Sequence, residues 1–135
     1  MVKYLKVEIY EITVVFLIKP TKVEFETMYH DNVTRIKDEE YKQMYKDLFD
    51  NEKCGGFTYL FDCGDLVCCI KYPYLEDYVA HEILHTTNKI LGTRGIVADF
   101  DNDEAQTYLD GYLTKKYYEY MQELMKEEKE EKNGR

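Results

Sequence analysis

Two of the three histidines lie four residues apart, at His81 and His85, and a glutamate directly follows the first of them. On an α-helix, residues four apart lie on one face, so both imidazoles can converge on one metal ion. Glu82 lies beside the first histidine and can reach a water molecule in the open position of that ion. The pattern His-Glu-x-x-His therefore predicts a metal site with a general base. The competing interpretation is a helix whose histidines form hydrogen bonds in the core.

A catalytic zinc site uses three protein ligands and keeps a fourth position for water, so the two histidines need a third partner. Glu104 is the best candidate, because it falls in the first turn of the helix that follows a reversal at Gly92 and Gly95. A short loop between antiparallel helices would bring that turn back alongside the histidines. The alternative role for Glu104 is a carboxylate that caps the helix or interacts with its dipole.

Three aspartates in the loop before Glu104 compete for the same role. Each is an alternative third ligand, or a residue that orients an imidazole of the site through a hydrogen bond. These residues are Asp99, Asp101 and Asp103.

Apolar periodicity predicts the helices that must position these residues. The histidine helix is predicted over 75–91, with Pro73 before it and Gly92 after it as start and stop signals. Stripes of apolar residues predict two further helices, at 38–50 and 103–125.

Alternation of apolar and polar residues predicts strands, with a bulge or tight hairpin near residues 9–10. The strand segments are 2–18, 23–29, 57–61 and 66–70. The predicted fold class is α+β, with a small and mostly antiparallel sheet packed against about three helices. A single domain is predicted over 1–125, followed by a charged tail at 126–135 that is frayed or disordered.

Composition argues against several functions. The net charge of −9 argues against a nucleic-acid partner, because such a surface needs clustered Lys and Arg. No apolar run is long enough to span a membrane, and no signal peptide is visible. The predicted location is therefore the cytoplasm, where the four cysteines stay reduced and pack in the core and the strands.

A resemblance to a known family rests on AHEILH at 80–85 followed by NDEAQTYLDGYL at 102–113. This pattern resembles a small gluzincin-type zinc metallopeptidase domain and is similar to zincin-like proteins encoded by bacteriophages and prophages. The likeness covers mainly residues 65–120. It implies a zincin-like fold, Zn²⁺ as cofactor, His81, His85 and Glu104 as ligands, and Glu82 as general base. Tyr108 stands where the family has an aspartate.

The resemblance implies hydrolysis of a peptide or protein substrate by a metal-activated water. Tyr108 and Tyr112 are candidate donors to the developing oxyanion. The strand before the histidine helix, Leu66 to Ile70, is expected to be an edge strand that pairs with an extended peptide. If the chain is phage-encoded, the expected location is the host bacterial cytoplasm.

Two other functions stay open from the sequence. One is a non-catalytic zincin-like domain that serves as a phage structural or interaction protein. The other is a binding module whose acidic surface occupies a basic partner. The sequence does not decide the oligomeric state.

Overall fold

The computed structural model describes residues 1–32, 34–71 and 76–134. It shows an α+β fold in which four strands form one mixed sheet and the four α-helices of the described chain pack on its two faces. The strands are β1 (Val2–Val7), β2 (Ile12–Ile18), β3 (Gly56–Leu60) and β4 (Leu66–Ile70). The helices are α1 (Lys22–Asp31), α2 (Asp38–Tyr45), α3 (Glu76–Thr93) and α4 (Glu104–Asn133).

The strands are ordered β1-β2-β4-β3 across the sheet. β1 and β2 form an antiparallel pair joined by a 3₁₀ turn, Glu8–Tyr10, which confirms the predicted break in the first extended segment. β3 and β4 form a second antiparallel hairpin, and the central pairing of β2 with β4 is parallel. The sheet is therefore mixed, with two of its three pairings antiparallel.

This strand order corrects one expectation. β4, the strand that precedes the histidine helix, lies between β2 and β3 and is not an edge strand. All five of its residues are buried, as expected for a strand covered on both faces. The edge on this side of the sheet belongs to β3.

A second correction concerns residues 23–29, which were predicted as a strand and form helix α1. The Thr21 side chain accepts a hydrogen bond from the Glu24 backbone, and the Glu24 carboxylate accepts one from the Thr21 backbone. This capping box starts a helix and outweighs the apolar alternation. Phe25 and Met28, three residues apart, form the buried face.

The other helices agree with the periodicity. The predicted segment 38–50 consists of α2 followed by a π-helical turn, Lys46–Asp50. α3 is described from Glu76, so the predicted start at residue 75 and the Pro73 signal lie outside the described residues. α4 continues as a helix through most of the charged segment that was expected to fray, and it ends at Asn133.

Two apolar layers enclose the sheet. One lies between the sheet, α3 and α4, and includes Phe16, Ile83, Ile90, Leu113 and Tyr117. The other lies between the sheet, α1 and α2, and includes Leu17, Phe25, Met28, Met44 and Cys69. No helix in the described part of the chain is both long enough and apolar enough to cross a membrane.

Candidate metal and catalytic site

Helix α3 holds the two predicted histidine ligands side by side. The Nε2 atoms of His81 and His85 are 3.0 Å apart, and the two rings are nearly perpendicular, with centroids 4.5 Å apart. Both side chains are exposed on the helix surface. Two nitrogens bound to one tetrahedral zinc ion at its usual bond length lie about 3.3 Å apart. The pair therefore has nearly the separation that a shared ion requires.

Glu82 lies on a different side of α3 from the histidines and is turned towards the sheet. It is only 8% exposed, whereas both neighbouring histidines are exposed. Its Oε2 accepts a hydrogen bond from the Thr58 hydroxyl of β3 at 2.7 Å. The general base of the prediction is therefore a buried carboxylate held by the edge strand.

Two consecutive glycines, Gly55 and Gly56, allow α3 to pack closely against the start of β3. A Cβ atom on Gly56 would lie 2.9 Å from Glu82 Cγ and 2.6 Å from the Cys69 carbonyl oxygen. A Cβ atom on Gly55 would lie 2.7 Å from the ring of Tyr78, one turn before Glu82 on α3. The glycine pair makes room for the tyrosine ring and for the glutamate of the site.

A small polar group lies beneath Glu82, inside an otherwise apolar layer. The Thr86 hydroxyl donates to the Glu82 carbonyl oxygen at 2.8 Å and lies 3.5 Å from the Thr58 hydroxyl. Complete burial, together with the nearby charge of Glu82, raises the pKa of the Cys68 thiol to about 12. Hydrogen bonds to Thr86 and Thr58 act in the opposite direction but are outweighed. Cys68 is therefore a neutral thiol at physiological pH.

Glu104, the predicted third ligand, is the first residue of α4 and is exposed. The contact between the two helices is two residues further on, where the Gln106 side-chain amide donates to the Asn88 side chain at 2.7 Å. Residues two apart on a helix are turned about 200° from each other, so Glu104 projects from nearly the opposite side of α4. Among the described residues, no group of three His, Cys, Asp or Glu side chains is arranged to hold a metal ion.

The same register places another carboxylate at the level of the histidines along the helix axis. Gln106, near the start of α4, meets Asn88, near the end of α3, so the helices run back along each other. One turn further along α4 is Asp110, which corresponds to the level of His85 on α3. Asp110 is partly buried. Sequence patterns do not single out Asp110, because the pairing of the two helices is not visible in either helix alone.

The three predicted aspartates lie in the exposed loop before α4. Backbone hydrogen bonds join Asp99 and Asn102 in both directions at 3.3 Å, and the Asp99 carboxylate accepts the Asp101 N–H at 2.9 Å. Asp103 is the N-cap residue of α4, without a capping hydrogen bond from its side chain. The Asp99 side chain thus helps to close its own turn. A role for these residues as ligands or as orienting groups stays a prediction.

Tyr108 and Tyr112 line a groove between α4 and the turn after β1, together with residues from Lys6 to Tyr10. Tyr108 is two residues beyond Gln106, so it too projects away from the side of α4 that meets α3. The oxyanion role of these tyrosines stays a prediction, and their placement on the β1 side adds no support to it.

No described strand pairs with the outer edge of β3, the strand that holds Glu82. The Phe61 N–H donates to the Asp65 carbonyl and the Lys71 N–H to the Gly55 carbonyl, which assigns the odd-numbered residues of β3 to the ladder with β4. In an antiparallel pair the intervening residues then turn their N–H and C=O groups outward. For β3 the outward groups include those of Thr58 and Leu60. The strand that holds Glu82 is therefore also the strand available for pairing in the described sheet.

Sequence patterns identify neither Thr58 nor the role of Gly56. The only sequence signal was the glycine pair before an alternating segment, which is also typical of an ordinary turn. Comparisons of the chain with protein-family models, with curated proteins and with solved structures give no match.

Proposed function

We propose that this chain is a zinc-dependent peptidase that hydrolyses peptide bonds with Glu82 as its general base. One observation carries the proposal: the Nε2 atoms of His81 and His85 lie 3.0 Å apart beside a buried glutamate. Exposed imidazoles suit a ligand pair that is open to solvent and substrate. A carboxylate one residue from the first ligand has no role in a purely structural zinc site, but it suits a base.

Bound zinc would lower the pKa of a coordinated water to about 7 and polarise the scissile carbonyl. Glu82 would accept the proton of the attacking water on its carboxylate and later deliver it to the leaving amine. Because Glu82 is only 8% exposed, little bulk water would reach its carboxylate during this transfer. An extended substrate would pair with the open edge of β3, next to Glu82, through main-chain hydrogen bonds.

Two carboxylates are candidates for the third ligand of the zinc ion. Glu104 is proposed from the resemblance to gluzincins, and it would have to turn inward at the start of α4 to join the histidines. The helix register offers Asp110 as a competitor, and its side chain too would have to move, since the described residues hold no group of three metal-ligating side chains. The two assignments predict opposite zinc contents for variants that lack one or the other carboxylate.

Elemental analysis of purified variants separates these possibilities. We expect one zinc per chain in wild type and loss of zinc in His81→Ala and His85→Ala. Loss of zinc in Glu104→Ala, with retention in Asp110→Ala, would assign the third ligand to Glu104, and the reverse pattern would assign it to Asp110. Glu119→Ala is a matched control on the outer surface of α4, where this glutamate pairs with Lys116. A wild-type protein that binds no zinc would overturn the proposal.

Catalysis is tested with Glu82→Gln, which keeps the shape of the side chain and removes the base. The variant should retain zinc and lose peptide hydrolysis by a factor on the order of 10²–10⁴. Unfolded proteins incubated at neutral pH, with and without a chelator, serve as the substrate panel. A zinc-loaded wild type that cleaves none of them would favour the non-catalytic interaction protein, and equal cleavage by Glu82→Gln would disprove the role of Glu82.

A further inference from the structure

We infer that Thr58 is the positioning residue for Glu82 and holds the carboxylate of the base in its working orientation. The inference rests on the proposed function, since it assigns how the base of that site is aimed. Thr58 would not contact the reacting atoms through its side chain. It would act through the carboxylate that it binds.

Two threonines donate hydrogen bonds to Glu82, one to its carboxylate and one to its backbone carbonyl. The Thr58 hydroxyl is 2.7 Å from Glu82 Oε2 and 3.4 Å from the Glu82 carbonyl oxygen, so its single proton goes to the carboxylate. Thr86 donates instead to the Glu82 carbonyl oxygen, which is an ordinary bond within the helix. Among the described residues, only Thr58 therefore hydrogen-bonds to the end of the Glu82 side chain.

Steric contact acts together with this hydrogen bond. A Cβ atom on Gly56 would lie 2.9 Å from Glu82 Cγ, so the glutamate packs closely against this glycine. Gly56 and Thr58 are two residues apart on β3 and face the same side of the sheet. One contact positions the middle of the side chain and the other positions its carboxylate.

The location of Thr58 on the edge strand links substrate binding to the base. Its side chain points to Glu82, while its N–H and C=O point to the open edge of β3. A peptide that pairs with this edge would fix the backbone of the residue that aims the carboxylate. We therefore expect loss of the Thr58 hydroxyl to lower kcat and to leave KM nearly unchanged.

The test compares Thr58→Val, which removes the hydroxyl and keeps the shape, with Thr58→Ser, which keeps the hydroxyl. Thr87→Val is the matched control, because Thr87 is a fully buried threonine on α3 whose hydroxyl has no hydrogen-bond partner in the described structure. Three quantities are measured for each variant: zinc per chain, kcat and KM for a peptide cleaved by wild type, and the ¹³C resonance of the Glu82 side-chain carboxyl. Glu82→Gln assigns that resonance.

We expect Thr58→Val to keep its zinc and to lose about tenfold to a hundredfold in kcat, the factor that corresponds to a hydrogen bond to a charged group. Thr58→Ser should restore kcat, and Thr87→Val should match wild type. The Glu82 carboxyl resonance should move in Thr58→Val alone. Unchanged kcat and an unmoved resonance in Thr58→Val would overturn the inference, and so would a kcat loss that serine does not rescue.

Failure of the proposed function gives a different pattern. If wild type cleaves no peptide, the peptidase proposal fails, but the carboxyl resonance still reports whether Thr58 holds Glu82. A resonance that moves in Thr58→Val and returns in Thr58→Ser would then support the positioning contact without the catalysis. A resonance that does not move would reject the contact as well.

Discussion

The two faces of the sheet are built from different kinds of side chain. The face covered by α1 and α2 is largely aromatic: Phe25 packs against Tyr41, Tyr45 and Phe49, with ring centroids 5.5 to 6.2 Å apart. The face covered by α3 and α4 is also apolar over most of its area, but the polar group of Glu82, Thr58, Thr86 and Cys68 interrupts it near β3. Alternate residues of the same strands supply both faces.

This difference indicates which face of the sheet mainly stabilises the fold and which face also carries the candidate site. Burying polar groups lowers stability unless they are paired, so an apolar face is the better solution where packing alone matters. The polar group under α3 includes Glu82, which adjoins His81 in the chain. The α1 and α2 face also has polar contacts, where Tyr59 and Lys71 donate to Asp47, but these lie on the opposite side of the sheet from the histidines. We expect that face to stabilise the fold and the α3 face to combine stability with function.

The largest effect should come from breaking the aromatic face. Phe25→Ala removes the ring at the centre of the cluster, and a buried Phe→Ala change costs about 3–5 kcal/mol in the free energy of unfolding. Molecules that stay folded should bind zinc as wild type does, because α1 does not contribute to the histidine site. Urea denaturation and zinc content at low temperature measure the two properties.

Ile83→Ala supplies the matched change on the other face, where Ile83 is fully buried beside Glu82. It should cost about 2–5 kcal/mol, and it should also weaken zinc binding because it loosens α3. If Phe25→Ala disturbs zinc binding as much as Ile83→Ala does, the two faces are not separable in the way proposed here.

A smaller effect is expected from closing the gap between β3 and α3. Gly56→Ala places a methyl group 2.6 Å from a backbone oxygen, which cannot move aside easily. Overpacking of this kind costs about 1–3 kcal/mol, and the shifted Glu82 should lower peptidase activity as well. Gly111→Ala is the opposite case, because an added Cβ meets nothing within 4 Å inside helix α4.

Gly111→Ala should therefore raise the free energy of unfolding by about 0.5–1 kcal/mol, through the better helix propensity of alanine. Thermal denaturation of both variants beside wild type checks the pair. Equal effects of the two substitutions would contradict the close approach of α3 at Gly56.

Much of the fold could be predicted from local patterns. The helix that carries His81 and His85 follows from their spacing and from the apolar residues around them. The β3–β4 hairpin follows from alternation and from the polar turn between its strands. Both elements are specified by residues close together in the sequence, which is why single-sequence patterns find them. The strand predicted at 23–29 failed because the capping box of Thr21 and Glu24 competes with alternation and starts a helix.

The parts of the site that were missed depend on residues far apart in the sequence. Thr58 meets Glu82 only because β3 pairs with β4 and α3 then packs across that hairpin. Strand order likewise decides which strand has the open edge, and β4 lost that position because β2 pairs with it in parallel. The position of Asp110 relative to His85 depends on the register of two helices. None of these pairings leaves a local sequence signal.

The smallest predicted effect compares two adjacent threonines of α3 that are both fully buried. Thr86 donates to the Glu82 carbonyl, whereas the Thr87 hydroxyl has no hydrogen-bond partner among the described residues. Replacing a buried, unpaired hydroxyl by a methyl group of similar size removes a desolvation cost, so Thr87→Val should stabilise the protein by about 1 kcal/mol. Thr86→Val loses a hydrogen bond and should destabilise it by about 0.5–1.5 kcal/mol. Urea denaturation at neutral pH measures both. Since the substitutions are chemically identical and neighbouring, opposite signs would show that the hydrogen bond to Glu82 decides whether a buried threonine hydroxyl on α3 stabilises the fold. Equal signs would contradict that interpretation.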